Sequence, residues 1–191
     1  MMQLRMNKGT YGYFQRRKWM QTAKCLLVLL GMGILLAIGY HTTHTRKNMM
    51  TVIAIVSALP FANAAVILFT VLPYHARPGE EYRTIKALAG DGVLSTELLL
   101  TRSTGKNFLI DYAYIHPKGI FLYTSDDTLQ EKEAIAHIKG ILAGHGLHTE
   151  IKIDKHLEQY QNHLKALEPV HRSDCAEELL KIEGVLHAIS I

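Results

Sequence analysis

Histidine, a side chain with catalytic and metal-binding potential, is abundant in this sequence. Eleven histidines occur in 191 residues, and two pairs are spaced so that both members could bind one metal ion: His41 with His44, and His145 with His148. A tight zinc site needs three or four ligands in a fixed geometry. We therefore interpret these pairs as polar surface residues and expect no metal or other cofactor from them.

Motifs of nucleophilic and nucleotide-binding enzymes are incomplete here. Gly105-Lys106 resembles the end of a P-loop, but Leu100 replaces its first glycine and Asn107 its Ser or Thr. No G-x-S-x-G motif occurs, and no base partner for Cys175 can be identified. Cys25 is the other cysteine, so a disulfide framework is not expected.

Charge is distributed unevenly along the chain. Residues 1–75 contain eight Lys/Arg and no Asp or Glu, whereas residues 76–191 contain thirteen Lys/Arg and seventeen acids, a net charge of −4. The overall net charge of +4 therefore comes from the first part of the chain. Because nucleic-acid binding needs positive charge on the binding face, nucleic acid is not an expected partner.

Two long apolar segments account for the absence of acidic residues from much of residues 1–75. Residues 21–40 are uncharged after Lys24, and residues 51–74 contain no charge at all. A helix of about 20 apolar residues crosses a bilayer core, so both segments are predicted as transmembrane helices. The alternative for the first segment is a cleaved signal peptide, with Ala37 and Gly39 as the cleavage pair.

The flanking charges predict an orientation for this helical hairpin. Six basic residues lie before the first segment or in its first turn, the last of them Lys24, whereas the connecting residues 41–50 contain only Arg46 and Lys47. The positive-inside rule then places a basic N-terminal segment (1–20) and the domain at 79–191 in the cytoplasm and the 41–50 loop outside. We expect a multi-pass protein of the cell membrane, with both termini cytoplasmic and the lipid bilayer as its partner.

Small residues give the hairpin surfaces on which helices can pack closely. They are Ala54, Ala58 and Ala62 in the second segment and Gly33 and Ala37 in the first. Packing within the hairpin is the favoured interpretation, and contact with another protein or a second copy is the alternative. Pro60 is expected to kink the second helix.

The residues after Pro78-Gly79 predict an α+β domain with a mixed sheet and helices packed on it. Hydrophobic periodicity and turn residues favour the order α-β-β-β-α-β, followed by further elements. Thr128 and Glu131 are predicted to form a capping box at the start of the second helix. The predicted ranges are a helix over 80–90, strands over 93–102, 108–116 and 120–124, a helix ending near Gly144, a strand over 148–154, a helix over 156–167, a short helix capped by Asp174 and Glu177, and a last strand at 185–191.

Three short matches in this order resemble a known family. They are Gly79-Glu80 at the first helix, Ile110-Asp111 on the second strand and Gly119-Ile120-Phe121 on the third. The pattern over residues 79–126 resembles the NERD (nuclease-related) domain of the PD-(D/E)xK nuclease class. That resemblance implies a restriction-endonuclease-like fold and a metal site built around Asp111.

Departures from the family pattern imply that the domain is catalytically inactive. Thr124 and Asp126 stand where the Glu and Lys of the E-x-K motif are expected, and Tyr112 replaces the His after Asp111. Hydrolysis would lack the second carboxylate ligand and the cation that positions water. We therefore expect a membrane-anchored protein whose nuclease-like domain acts in binding or assembly.

Two alternatives remain open. Glu150-Ile151-Lys152 contains a displaced E-x-K, so Glu80, Asp111, Glu150 and Lys152 are the site residues of a membrane-tethered nuclease, with Mg²⁺ or Mn²⁺ at Asp111. The other alternative is an α+β interaction module unrelated to nucleases.

Overall fold

The fold is known from a computed structural model that describes residues 8–44, 49–102, 105–168, 170 and 177–191. The chain divides into two compact units, of which one comprises Phe14–His75. The other joins the segment that ends at Tyr13 to Ala76–Ile191. A short N-terminal segment therefore belongs to the same unit as the C-terminal two thirds of the chain.

Helices alone make up the regular structure described in the first unit: α1 (Tyr13–Thr43), α2 (Met49–Val56) and α3 (Ala58–Val71). Helix α1 starts at Tyr13, before the predicted boundary at residue 21. The basic residues just before the apolar segment are therefore also helical. The expected kink lies at Ser57, where α2 ends and α3 begins. Pro60 has no backbone N–H to bond to Val56, the residue four positions earlier, so the helix is interrupted there.

Both helical stretches are long and apolar enough to cross a membrane, over Tyr13–Thr42 and Met49–Val71. Only 11% of the most apolar window of each is buried in the structure. Large side chains such as Leu27, Leu59 and Phe69 are at least 70% exposed. Of the predicted small-residue surface, Ala54 is buried, whereas Gly33, Ala37, Ala58 and Ala62 are exposed within this unit.

A four-stranded mixed sheet forms the centre of the second unit. Its strands lie in the order β1 (Val93–Leu100), β2 (Phe108–His116), β3 (Gly119–Tyr123) and β4 (Ile151–Asp154). The first three pair antiparallel, and β3 pairs with β4 in parallel. Gly119 has φ +145°, and a Cβ at this residue would lie 2.9 Å from the Glu150 carbonyl oxygen. The turn into β3 therefore needs glycine for steric reasons.

Helices cover both faces of this sheet, as expected for an α+β domain. They are α4 (Gly79–Ala89), α5 (Glu131–Gly144), α6 (Leu157–Lys165) and α7 (Glu177–Ile189). Helices α5 and α7 pack on one face through residues such as Ile138 and Ile182. Helices α4 and α6 pack on the other through Ile85 and Leu164. The observed order from α4 to β4 is α-β-β-β-α-β.

Two local predictions in the domain are wrong. Residues 185–189 continue α7, because Leu179, Ile182 and Leu186 are buried at helical spacing; Ser190 makes only a single bridge to Leu100. The capping box on Thr128 is also absent, since the Thr128 N–H and hydroxyl both donate to Asp126 and α5 begins at Glu131. The predicted cap at Asp174 and the thiol of Cys175 fall outside the described residues.

Residues 8–13, which we call the N-terminal clip, bind the domain before the chain enters α1. The Gly9 carbonyl accepts a hydrogen bond from the Thr96 N–H at 2.8 Å, along the outer edge of β1. Gly9 has φ +76°, and a Cβ there would overlap the His187 ring at 2.2 Å. The Lys8 ammonium donates to backbone carbonyls of His187 and Ser190. The clip is therefore built into the domain.

Candidate functional site

Asp111, the acidic residue at the centre of the family resemblance, lies on β2 and is 2% exposed. The backbone N–H of Ser125 donates a hydrogen bond of 2.6 Å to its Oδ2 atom. Burial raises the pKa of the Asp111 carboxyl above its ordinary value of 3.8, although the Ser125 bond and the Arg77 charge act in the opposite direction. The fold therefore favours the neutral carboxyl more than water does.

A partly buried ion pair acts on this carboxyl. Arg77, just before α4, donates from Nε to Oε1 of Glu81 at 3.0 Å and from Nη2 to Oε2 at 2.8 Å. The Glu81 side chain is only 9% exposed and that of Arg77 is 32% exposed. The hydrogen bonds to Glu81 are the main reason that the pKa of Arg77 is raised. Both Glu81 oxygens are thus occupied by a guanidinium, a geometry that strengthens such pairs.

Three tyrosine rings pack together beside this pair: Tyr112 and Tyr123 lie on the sheet, and Tyr160 lies on α6. The Tyr123 ring lies 5.9 Å from that of Tyr112 and 5.7 Å from that of Tyr160, measured between centroids. The hydroxyls of Tyr112 and Tyr160 are buried, the first near the Glu81 carboxylate and the second near the backbone of Tyr114. Burial raises the pKa of both hydroxyls, and nearby carboxylates act in the same direction. These hydroxyls therefore hold their protons and cannot serve as bases near neutral pH.

The two positions that depart from the nuclease motif have structural roles. The Thr124 hydroxyl donates to the Leu109 carbonyl at 2.7 Å, which ties the end of β3 to β2. Asp126 pairs with Lys106 at 3.1 Å and accepts hydrogen bonds from Thr128. Burial alone would raise the pKa of Asp126, but the bonds from Thr128 and Lys106 outweigh it and lower that pKa. Both side chains build the turn between β3 and α5.

The residues of the displaced E-x-K site have separate surroundings. Glu80 is exposed on α4 and pairs with Arg83 at 3.0 Å. Glu150 lies on the rim of an open cavity of about 410 Å³ that it shares with Lys139 and His148. Lys152 is exposed on β4. The helix carboxylate that acts on Asp111 is that of Glu81, one residue after the predicted Glu80.

Lys152 instead belongs to a chain of side chains between β4 and α6. Its ammonium lies 2.7 Å from Nε2 of His163, and Nδ1 of His163 lies 2.8 Å from Oδ2 of the buried Asp154. The carboxylate fixes the orientation of the imidazole ring, which leaves the other nitrogen to accept from Lys152. This arrangement fastens α6 to the edge of the sheet.

Sequence reasoning missed the Arg77–Glu81 pair and the burial of Tyr160, which is 0% exposed. A signal for the first was present, because Arg77 and Glu81 are four residues apart at the start of a predicted helix. Among the residues that the structure describes, no group of three or more His, Cys, Asp or Glu side chains is arranged to hold a metal ion. No protein-family model, curated protein or solved structure matches this chain.

Proposed function

We propose that this protein is anchored in the cell membrane by its apolar helices and carries a nuclease-like domain that acts in binding or assembly and does not cleave phosphodiesters. The observation that carries the proposal is the bidentate Arg77–Glu81 pair next to the buried Asp111. A guanidinium that occupies both oxygens of a carboxylate near Asp111 supports a role other than metal-assisted hydrolysis. The α-β-β-β-α-β order supports the restriction-endonuclease-like fold.

The chemistry of the donor groups argues against hydrolysis. Metal-assisted phosphodiester cleavage needs ionised carboxylates that can ligate the cation and a group that positions the attacking water. Here both Glu81 oxygens are paired with Arg77, burial raises the pKa of Asp111, and the Thr124 hydroxyl is bonded to the Leu109 carbonyl. The net charge of −4 over residues 76–191 also opposes a polyanionic substrate.

Exposure of the apolar helices supports the anchor. A core helix of a soluble protein would bury most of its apolar residues, whereas only 11% of each apolar window is buried here. The clip argues against a cleaved signal peptide, because cleavage after Gly39 would remove Gly9 from the edge of β1 and Gly12 from the side chain of Glu97.

The clip also supports the proposed topology. Residues on both sides of the hairpin belong to one folded unit, since the clip precedes α1 and Arg77 follows α3. Both ends of the hairpin then lie on the same side of the membrane. The six basic residues before the first apolar segment or in its first turn favour the cytoplasmic side.

The nuclease alternative is tested with the full chain purified in mild detergent. It is incubated with Mg²⁺ or Mn²⁺ and a mixture of single- and double-stranded DNA and RNA. We expect no cleavage by the protein or by its Asp111→Ala variant. Cleavage by the unaltered protein that disappears in Asp111→Ala would overturn the proposal, and its loss in Lys152→Ala as well would establish the displaced site.

A further inference from the structure

The first turns of α1 contain four cations, Arg16, Arg17, Lys18 and Lys24, which we call the basic ring. No Asp or Glu occurs among the first 75 residues. Arg16 and Lys24 are exposed, and Arg17 and Lys18 are half-buried. Trp19, the only tryptophan of the chain, lies among them and is 76% exposed.

The cations are distributed around the helix axis. Successive residues of an α-helix are rotated by about 100°. Arg16, Lys24, Arg17 and Lys18 therefore lie at about 0°, 80°, 100° and 200° around the axis, so the cations cover just over half of the circumference. Trp19 lies at about 300°, in the remaining sector. A protein surface or a nucleic-acid duplex would meet one side of such a helix. The headgroup layer of a bilayer reaches every part of a crossing helix that protein does not cover, and it can therefore contact cations spread over so wide an arc.

The position of the ring along the helix fits the same layer. The apolar stretch that begins at Cys25 and ends at Thr42 is about 27 Å long at 1.5 Å per residue, close to the thickness of a hydrocarbon core. Lys24 then lies at the boundary of the core and Arg16 about 12 Å farther out. Long basic side chains and tryptophan are the residues that occupy this zone.

We propose that the basic ring binds anionic lipid headgroups and enriches them around α1. The inference rests on the proposed membrane anchor and specifies which lipid chemistry the anchor selects. Anionic phosphate groups provide the complementary charge, and each Lys or Arg near such a surface contributes to the attraction. Residues 76–191, with a net charge of −4, cannot supply this attraction through their overall charge.

Trp19 reports on its lipid neighbours directly, because it is the only tryptophan. The full chain is reconstituted in phosphatidylcholine vesicles with a fixed mole fraction of either brominated phosphatidylglycerol or brominated phosphatidylcholine, whose bromines quench nearby tryptophan. In 0.1 M salt we expect brominated phosphatidylglycerol to quench about twofold more. The ratio should fall to about one in 1 M salt, where charges are screened within about 3 Å.

Variants distinguish an effect of the basic ring from a general effect of the protein's positive charge. R16Q/R17Q/K18Q/K24Q should bring the quenching ratio to about one, whereas the matched control K118Q/K132Q/K139Q/K165Q should keep it near two. Resistance to alkaline carbonate extraction measures anchoring independently. Equal quenching by both lipids in a carbonate-resistant protein overturns the lipid proposal and leaves the anchor intact. A protein that carbonate extracts overturns both.

Discussion

The ring of Tyr11 stacks on the ring of Tyr82, with centroids 4.4 Å apart and an interplanar angle of 14°. The Tyr11 hydroxyl also donates to the Arg77 carbonyl at 2.9 Å. Tyr11 precedes α1, and Tyr82 lies on α4, after the last apolar helix. This contact joins the chain before α1 to the chain after α3 within one folded unit. Substitution of Tyr11 therefore tests how much the clip stabilises that unit.

Tyr11→Ala should destabilise the domain. A stacked aromatic pair contributes about 0.5–1.5 kcal/mol beyond its buried area, and the hydrogen bond to Arg77 about 1 kcal/mol. We therefore expect a loss of about 2 kcal/mol in the free energy of unfolding. Urea unfolding of the full chain in mild detergent, followed by near-ultraviolet circular dichroism of the tyrosines, measures it. Tyr11→Phe should lose only the hydrogen-bond share, and Tyr40→Ala, an exposed tyrosine of α1, should change little.

Membrane topology can be tested with single cysteines in a chain whose Cys25 and Cys175 are replaced by serine. We expect Thr42→Cys to react with a membrane-impermeant maleimide in intact cells, because residue 42 lies at the outer end of α1 in the proposed topology. Thr10→Cys and His145→Cys should react only after lysis. Labelling of residue 10 in intact cells would contradict the cytoplasmic position of the clip.

The Arg77–Glu81 pair should show strong coupling in a double-mutant cycle. Arg77→Met leaves the Glu81 carboxylate buried without its partner, so we expect a loss of about 1–3 kcal/mol in unfolding free energy. Arg77→Lys should recover only part, because an ammonium cannot reproduce the bidentate geometry. Arg77→Met combined with Glu81→Leu should lie closer to the unaltered protein than Arg77→Met alone. Additive losses would show that the pair has no structural role.

Two aspartates should give opposite pH dependences of stability. The pKa of Asp111 is raised in the folded protein by burial, so its contribution to stability is present below pH 3.8 and is lost as the pH rises through the folded pKa. Asp111→Asn keeps the residue neutral, and its stability relative to the unaltered protein should therefore improve as the pH rises from 4 toward 7.

Asp126 is the matched comparison. Its folded pKa is lowered, because hydrogen bonds from Thr128 and Lys106 outweigh burial, so its stabilising contribution is present above pH 3.8 and is lost as the pH falls through the folded pKa. Asp126→Asn should be most destabilising near neutral pH and progressively less so in acid. Urea unfolding between pH 3 and 7 measures both differences, and slopes of the same sign would contradict these assignments.

Elements with strong periodicity were predictable. Three meander strands, the helix ending near Gly144 and the helix that contains Tyr160 lie close to their expected ranges, because alternation and 3.6-residue spacing depend only on neighbouring residues. The structure of the C-terminal segment was predicted wrongly. Its β-branched residues, in VLHAISI, suggest a strand, but its apolar residues continue the helical face that begins at Leu179. Packing against the sheet decided between the two structures.

The sequence alone determined that apolar helices lie within residues 21–40 and 51–74, that all charges in residues 1–75 are positive and that an α+β domain follows, because length, charge and hydrophobic period are local properties. Only the tertiary structure decided that residues 8–13 complete the edge of β1 and that Glu81, not Glu80, lies with Asp111. These relationships join residues 30 to 182 positions apart, from Glu81 with Asp111 to Lys8 with Ser190. Contacts between residues so far apart in sequence cannot be predicted from local sequence patterns, because they form only when the chain packs.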